Sequence, residues 1–227
     1  MKRGCIIVAG GNGSRMESDL PKQFLPLGEL TVLMHTILNF SCFDPTMQLV
    51  VVLPANEIQC WEALCLKHHF EIPVQIVEGG HARFESVKNG LSRIMECDLI
   101  AIHDGVRPLV SRETLLRCFE TAAARGAAIP VLPANESVRQ GSMENSVPVD
   151  RSAYFMVQTP QVFKASLILE SYKQPWIPQF TDDASVAEHA GVKVHLVEGN
   201  RENIKITFPE DLQIAELFLK RRCTLEI

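Results

Sequence analysis

The chain has 227 residues, of which 46% are hydrophobic and 22% are charged. This composition is ordinary for a globular protein, so it excludes a disordered or collagen-like chain. The longest apolar runs, such as Leu49 to Pro54, are far shorter than the roughly 20 residues that cross a bilayer. The apolar stretch at the N-terminus is too short for a signal peptide, and the net charge of −5 gives no sign of a basic face. We therefore expect neither a membrane nor a nucleic acid as partner.

Apolar runs alternate with segments of helical spacing through the first part of the chain. Buried strands are predicted at 3–9, 48–53, 74–77, 98–103 and 127–132. Helices are predicted at 31–43, 57–69, 83–97 and 112–125. The strands are β-branched and lack polar alternation, which is typical of a parallel sheet with helices on both faces. We predict a single α/β domain over residues 1–227, with a Rossmann-like, mostly parallel sheet flanked by helices.

The second half of the chain departs from this alternation. Val138 and Val147 flank a polar, turn-like stretch, which predicts a β-hairpin that projects from the domain. We place this projecting β-arm at approximately 135–158. Helices are predicted at 164–173, 181–189 and 209–221. Strands are predicted at 192–198 and 202–207.

The seven cysteines are odd in number and form no CxxC pair. Several lie in or beside apolar segments, which indicates buried thiols in a reducing cytoplasm rather than a disulfide or metal framework. His68, His69 and His103 lack the spacing of a transition-metal site. We expect His103 to be structural.

Three loops are the most polar and glycine-rich segments in the first half of the chain. They follow the first, third and fourth predicted strands and begin at Gly10, Gly79 and Asp104. Ligands of open α/β sheets bind beyond the carboxyl ends of the strands. We therefore expect these loops to meet and to form the functional site.

The loop after the first strand has the most informative composition. Gly10, Gly11 and Gly13 allow backbone N–H groups to approach an anion closely, and Arg15 and Lys22 add two cations. The spacing matches neither a Walker motif nor a dinucleotide-binding fingerprint. A glycine loop with separated cations favours a triphosphate that is both held and neutralised. The alternative is a flexible loop with solvated charges.

The segment GGNGSRM followed by PKQFLPLG resembles the signature of the sugar-phosphate nucleotidyltransferases. The further blocks, in chain order, are EGGHARFESV at 78–87, HDGVRP at 103–108, VDR at 149–151, TPQVF at 159–163, FTDDAS at 180–185 and VEGNRENIKIT at 197–207. Together they resemble the 2-C-methyl-D-erythritol 4-phosphate cytidylyltransferase family over about residues 5–216. The resemblance implies attack by a methylerythritol phosphate oxygen on the α-phosphate of CTP, with pyrophosphate leaving. It also implies Mg²⁺, held mostly by phosphate oxygens and water.

The resemblance assigns roles to individual residues of these blocks. The implied catalytic residues are Arg15, Lys22, Arg151 and Lys205. The implied CTP-binding residues are Ala9, Gly10, Gly11, Gly13, Gly79, Gly80, Arg83, Ser86, Asp104 and Gly105. The residues implied for the polyol phosphate are Arg107, Ser137, Arg151, Thr159, Thr181 and Lys205. Ordinary structural roles are the alternative, above all a helix N-cap for Thr181 and a turn or helix cap for Asp104.

The chain departs from the family pattern at three positions. His81 stands where an acidic residue is frequent, Gly105 where alanine is commoner, and Ser137 where threonine is frequent. The change at His81 puts any side-chain contact from that position in doubt. Gly105 leaves room for a close backbone approach, and Ser137 retains a hydroxyl.

The resemblance also implies a homodimer in which each arm completes the partner's site. Two other functions stay open. A ribitol 5-phosphate cytidylyltransferase shares the CTP loop, but the combination of TPQVF, FTDDAS and NIKIT favours methylerythritol phosphate. A catalytically silent nucleotide-binding domain is expected to lack Arg15, Lys22 or Lys205, and all three are present.

Overall fold

The computed structural model describes residues 1–11, 16 and 20–225. Two predicted site residues, Gly13 and Arg15, lie outside the described residues. The strands, in chain order, are β1 (Arg3–Val8), β2 (Pro26–Leu27), β3 (Leu30–Thr31), β4 (Gln48–Leu53), β5 (Gln75–Glu78), β6 (Leu99–Asp104), β7 (Ala127–Pro133), β8 (Arg139–Gly141), β9 (Ser146–Pro148), β10 (Phe155–Val157), β11 (Gln161–Lys164) and β12 (His195–Glu198). The helices are α1 (Val32–Phe43), α2 (Ile58–His68), α3 (Arg83–Leu91), α4 (Arg112–Arg125), α5 (Ala165–Ser171), α6 (Asp183–His189) and α7 (Pro209–Leu225).

Eight of these strands form one mixed sheet in the order β10-β7-β11-β6-β1-β4-β5, with β12 paired to β7. β1 runs parallel to β4 and β6, β4 runs parallel to β5, and β12 runs parallel to β7. β10 and β11 are the antiparallel members. The predicted mostly parallel sheet is therefore confirmed.

Both faces of the sheet are covered by helices. Cys5 and Ile7 of β1 belong to the core on the side of α1, α2 and α4, whereas Ile6 belongs to the core with α3, α5 and α6. Successive side chains of a strand point to opposite faces, so a strand buried on both sides is apolar throughout. Each fully buried side chain of this size contributes roughly 1.5–3 kcal/mol through its removal from water.

The element boundaries agree closely with the sequence analysis for β4 and α4 but not for α3. The prediction that α3 extends to residue 97 is wrong, because the helix ends at Leu91. The backbone of Glu96 adopts a left-handed conformation with φ of 51°. The N–H of Asp98 then donates to the carbonyl of Lys2, at 2.9 Å, which places the next strand beside β1.

The predicted strand at 202–207 is also wrong. Ile206 N–H donates to the carbonyl of Val106, at 2.9 Å, but the segment is not part of a sheet in the described portion of the chain. Ile206 is fully buried and Ile204 packs on the same small cluster, to which Ala215 of α7 also belongs. The apolar alternation therefore reflects packing against α7 and not pairing with a strand.

The predicted hairpin is present as β8 and β9, which pair from Arg139 with Pro148 to Gly141 with Ser146. Every residue of β8 is exposed, and so is every residue of β10, which follows the hairpin. Met143 lies at the hairpin tip and is completely exposed. The arm thus presents apolar side chains to its surroundings and has no core of its own.

The described cysteines meet the expectation of buried thiols only in part. Cys5 and Cys118 are buried, Cys42 is exposed, and Cys60, Cys65 and Cys97 lie between these extremes. All six are free thiols. Of the helices described, none combines the length and the apolar character that a membrane span requires.

Candidate active site

A cavity of about 290 Å³ opens at the carboxyl ends of β1, β5 and β6. The loops predicted to meet do meet here. The predicted site residues that line the cavity are Ala9, Gly10, Gly11, Lys22, Gly80, Arg83, Ser86, Asp104 and Lys205. The lining residues that the sequence analysis did not assign include Gln23, Ala82 and Val106.

Gln23 fixes the end of β1 at the edge of the cavity. Its side chain is fully buried, and its Nε2 donates to the carbonyl of Ala9 at 2.8 Å and to the carboxylate of Glu57. Burial raises the pKa of Glu57 above its ordinary value, although the bond from Gln23 lowers it. Gln23 was not predicted from the sequence. The one feature that could have indicated it is its position between a predicted site residue, Lys22, and the apolar Phe24.

Lys22 lies beside the glycine loop. Lys22 is 8% exposed, and a Cβ built on Gly11 would lie 3.8 Å from Lys22 Cε. The side chain therefore runs along the backbone of the loop and lines the cavity. This arrangement suits a cation that neutralises a phosphate held by backbone N–H groups.

The first turn of α3 holds the turn after β5 in place. Ser86 Oγ accepts from Gly80 N–H and donates to the carbonyl of Ala82, both at 3.1 Å. Glu85 Oε2 accepts from His81 N–H at 2.7 Å. A Cβ on Gly80 would lie 2.3 Å from Glu85 Cβ, so residue 80 has no room for a side chain unless α3 shifts. Ser86 and Glu85 thus order the backbone of this turn.

Arg83 forms a bidentate ion pair with Asp183, a residue that the sequence analysis did not single out. Arg83 Nη1 and Nη2 lie 2.9 Å and 2.6 Å from the two carboxylate oxygens. Tyr172 Oη donates to Asp183 Oδ1 at 2.6 Å. Burial lowers the pKa of Arg83, but the charge of Asp183 outweighs burial and the net direction is upward. Burial and the same carboxylate raise the pKa of Tyr172.

Asp104 is the centre of a second charged cluster, at the end of β6. Its Oδ2 lies 3.1 Å from Lys205 Nζ and 3.0 Å from Arg107 Nε. Burial raises the pKa of Asp104, but Lys205, Arg83 and Arg107 together lower it well below its ordinary value. Arg107 Nη1 also donates to the carbonyl of Asn203 at 2.8 Å. Asp104 is therefore an anion that holds Lys205 at the cavity.

His103 belongs to a buried hydrogen-bond chain behind Asp104. Its Nε2 lies 3.0 Å from the carbonyl of Arg107, so this nitrogen carries the proton, and Nδ1 accepts from the Thr159 hydroxyl at 3.0 Å. Thr159 Oγ1 accepts from Asp104 N–H at 3.1 Å. Burial lowers the pKa of His103 to about 4. The Thr159 hydroxyl already donates its proton, so the predicted contact with the polyol would use its remaining lone pair as an acceptor.

Gly105 makes the close approach that the sequence predicted. A Cβ at this position would lie 2.8 Å from the Cβ of Ala9 and 3.2 Å from the carbonyl oxygen of Val8. The Thr36 hydroxyl donates to the carbonyl of Gly105 at 3.1 Å. The glycine thus allows the loop after β6 to pack directly on the end of β1.

Three further predicted site residues lie away from the cavity. Ser137 and Arg151 are exposed on the arm, where Arg151 Nη1 donates to the carbonyl of Asn135 at 2.6 Å. Thr181 is exposed and precedes α6. The N-cap alternative for Thr181 is wrong, because the cap of α6 is Asp182, whose carboxylate accepts from the N–H of residue 185.

Both the sequence and the fold are similar to those of known proteins. The family model described as "IspD: 2-C-methyl-D-erythritol 4-phosphate cytidylyltransferase" matches residues 4–221. Curated proteins of that name from Bacteroides fragilis and Bacteroides thetaiotaomicron are 52% and 50% identical over 219 residues, which cover 96% of this chain and 100% of each relative.

Solved structures give the same result. The 2-C-methyl-D-erythritol 4-phosphate cytidylyltransferase of Thermus thermophilus is 32% identical, with a TM-score of 0.77 over 97% of this chain and 100% of that chain. The 4-diphosphocytidyl-2C-methyl-D-erythritol synthase of Anaerococcus prevotii is 26% identical, with a TM-score of 0.81 over 97% and 96%. The chain belongs to the 2-C-methyl-D-erythritol 4-phosphate cytidylyltransferase family.

Proposed function

We propose that this chain, as a single domain over residues 1–227, transfers a cytidylyl group from CTP to 2-C-methyl-D-erythritol 4-phosphate. The products are 4-diphosphocytidyl-2-C-methyl-D-erythritol and pyrophosphate, in non-mevalonate isoprenoid biosynthesis. Membership of the family makes the chain an enzyme, a nucleotidyltransferase. The observation that supports placing the reaction in the cavity is the convergence of Lys22 and Lys205 on its glycine-rich wall.

The reaction is an in-line displacement at phosphorus. An oxygen of the polyol phosphate attacks the α-phosphorus of CTP, the bond from that phosphorus to the bridging oxygen breaks, and pyrophosphate leaves with the electron pair. A phosphate monoester is largely a dianion at neutral pH, since its second pKa is about 6, so the attack needs no strong base. Alignment and cations are what the protein supplies. Lys22 and Arg15 stabilise the triphosphate, and Lys205 lies between the two reacting phosphates.

Recognition of cytosine rests on the turn after β5. The N–H of Gly79 donates to the carbonyl of Leu53, and those of Gly80 and His81 donate to Ser86 and Glu85. These bonds leave the carbonyl oxygens of the turn as its acceptors for the exocyclic amino group of cytosine. Uracil has a carbonyl oxygen in place of that amino group and would leave an acceptor facing an acceptor.

The arm supports the proposal of a homodimer with arm exchange. Ser137 and Arg151 lie on the arm and outside the cavity of their own chain. Phe155 and Met156 of β10 are 45% and 63% exposed. An interface with a second copy would cover these apolar side chains and bring the partner's arm to the cavity. Arg151 would then offer two parallel N–H donors to the polyol phosphate.

A Mg²⁺ ion fits the acidic side chain at the cavity. Asp104 is ionised, but its Oδ2 already contacts Arg107 and Lys205. In the described portion of the chain, no group of three or more His, Cys, Asp or Glu side chains could hold a metal ion. Asp104 would therefore meet the ion only through a bound water, and phosphate oxygens and water would be its ligands. When bound, the ion neutralises charge on the phosphates of CTP. We place the reaction in the cytoplasm, where the free thiols stay reduced.

Pyrophosphate release tests the function. The purified protein is given CTP and Mg²⁺ with methylerythritol phosphate, and in parallel with ribitol 5-phosphate. We expect release with the first acceptor and much less with the second. Faster release with ribitol 5-phosphate would make the chain a ribitol phosphate cytidylyltransferase. Binding of CTP without release of pyrophosphate in the presence of either acceptor would show a catalytically silent domain.

A further inference from the structure

The first residues of two helices are joined by the Arg83–Asp183 ion pair. Arg83 begins α3, which follows the turn after β5, and Asp183 begins α6, which follows Thr181. The two residues are 100 positions apart in the chain. Asp183 is fully buried and accepts hydrogen bonds from both Nη atoms of Arg83 and from Tyr172. We call Arg83, Asp183 and Tyr172 the buried clamp.

The Asp183 end of the buried clamp is anchored on the sheet. Gln161 of β11 donates through Nε2 to Asp182 Oδ2 and accepts through Oε1 from Ala184 N–H, both at 2.7 Å. β11 pairs with β6, the strand that ends at Asp104. The start of α6 therefore has a fixed position relative to the charged cluster at Asp104.

The Arg83 end is backed by aromatic rings. Phe84, the next residue of α3, stacks on Tyr172 with ring centroids 4.7 Å apart and on Phe180 with centroids 5.7 Å apart. Phe84 and Tyr172 are buried and the Asp183 carboxylate is fully enclosed, whereas the Arg83 side chain is 31% exposed. An ion pair in such surroundings is strengthened by the low local dielectric and is costly to break from one side.

The bidentate geometry also limits what Arg83 can do for a ligand. One N–H of each terminal nitrogen is directed to Asp183, so the end-on pair of donors is in use and only the remaining N–H groups can meet a ligand. Yet Arg83 lines the cavity next to the turn that holds the nucleotide base. A buried ion pair contributes little net stability compared with apolar residues of similar volume, so this pair is better explained by a role in geometry.

We propose that Asp183 and Tyr172 are positioning residues of cytidylyl transfer, and this inference rests on the function proposed above. They hold Arg83, and through α3 the turn proposed to bind the base, in a fixed position relative to Thr181, which the resemblance assigns to the polyol phosphate. One contact thereby sets the separation of the two substrate subsites. Arg83 is then also a positioning residue.

The test is the Michaelis constant of each substrate in the Tyr172→Phe variant. This substitution removes one hydrogen bond to Asp183 and keeps the ring that stacks on Phe84. Only part of the energy of this bond is expected to be coupled to substrate binding, so we expect KM for CTP and KM for methylerythritol phosphate both to rise about five- to tenfold. The Asp183→Asn variant, which keeps the shape and loses the charge, should raise both further.

The matched control is Asp44→Asn. Arg3 Nη1 lies 2.8 Å from Asp44 Oδ2, in a second partly buried Arg–Asp pair at the amino end of β1, away from the cavity. We expect this variant to lower Tm and to leave both KM values unchanged. If Asp183→Asn does not fold, Tyr172→Phe alone decides.

Two results would overturn the inference. A rise in KM for CTP alone would mean that the buried clamp serves only the nucleotide subsite. Unchanged KM values in Tyr172→Phe, with a lower Tm like that of Asp44→Asn, would mean that the buried clamp is purely structural. If the wild-type chain releases no pyrophosphate, the proposed function fails instead. Calorimetric titration of CTP and of methylerythritol phosphate into the wild type and into Tyr172→Phe then compares the affinities for the two ligands.

Discussion

The ammonium of Lys205 lies 3.1 Å from the Asp104 carboxylate at the mouth of the cavity. The Lys205 side chain is 47% exposed, whereas that of Asp104 is 11% exposed. A buried anion thus holds a partly exposed cation where the two reacting phosphates are expected to meet. This arrangement fixes the cation before substrate arrives, so little reorganisation is needed as charge develops.

Lys205→Met should therefore lower kcat. Loss of a group aimed at charge in the transition state costs on the order of 10² to 10³ in rate. If Asp104 acts through Lys205, then Asp104→Asn should lower kcat in the wild-type background and change it little in the Lys205→Met background. Steady-state kinetics of the two single variants and the double variant measure this cycle. Additive losses would assign Asp104 an independent contact with substrate or metal.

Ser86→Ala should loosen the turn after β5, which we propose binds the base. The variant loses the bonds of Oγ to Gly80 N–H and to the Ala82 carbonyl, so KM for CTP should rise about tenfold with a smaller change in kcat. The preference for CTP over UTP should also weaken. Ser92→Ala is the control, because Ser92 Oγ donates to the carbonyl of Asn89 near the end of the same helix, on the surface. An unchanged KM in Ser86→Ala would show that the turn is held without this hydroxyl.

The meeting of the three loops could be predicted from the sequence because a topological rule applies. Ala9 and Gly79 follow parallel strands and Asp104 ends one, and such strand ends meet at one edge of a sheet. Gln23 and Asp183 were missed for a physical reason. Their hydrogen bonds act on backbone or side-chain groups that only the folded chain brings near, in one case across 100 residues.

The secondary structure also contains features that the sequence predicts and features that it does not. Helix α4 has a Ser111 cap and a glycine after its last residue, and its predicted limits are those observed. The apolar alternation of Ile204 and Ile206 predicted a strand, but both side chains pack in the cluster beside α7. Periodicity reports which side chains are buried, and it does not report whether sheet or helix buries them.

Stability should fall as the pH is lowered because of His103. Burial lowers its pKa to about 4, whereas the unfolded value is about 6.5. A group whose pKa is lowered by folding stays neutral in the native state while the unfolded chain takes up a proton, so unfolding becomes easier as pH falls from about 6.5 towards 4. At most about 3 kcal/mol is lost over this window.

The test of this pH effect is urea unfolding of the wild type and of His103→Asn between pH 7.5 and 5. Asparagine can accept from the Thr159 hydroxyl through Oδ1 but does not titrate. We expect the free energy of unfolding to fall more steeply with decreasing pH in the wild type than in the variant. Parallel slopes would mean that His103 does not account for the pH dependence.

Lys22→Ala should lower kcat by on the order of 10² to 10³ with a smaller effect on KM for CTP, because the cation acts on charge that grows during the reaction. Arg15→Ala should behave similarly, on the basis of its place in the same loop. Lys173→Ala is the control. Lys173 follows α5, is exposed, and pairs with Glu170 of that helix. Near-normal kcat in Lys22→Ala would remove this lysine from the catalytic residues.

Mixing two inactive variants tests whether the arm acts on the partner's site. In Arg151→Ala we expect a large loss of kcat/KM for the polyol phosphate, with CTP binding by calorimetry little changed. When Arg151→Ala and Lys22→Ala are unfolded and refolded together, each mixed dimer contains one cavity with its own Lys22 and the partner's intact arm. If arms are exchanged, random pairing restores about a quarter of the wild-type activity. If each arm served its own chain, both cavities of a mixed dimer would lack one residue and no activity would return. Light scattering on the same samples establishes that dimers form, and an active wild-type monomer would contradict arm exchange outright.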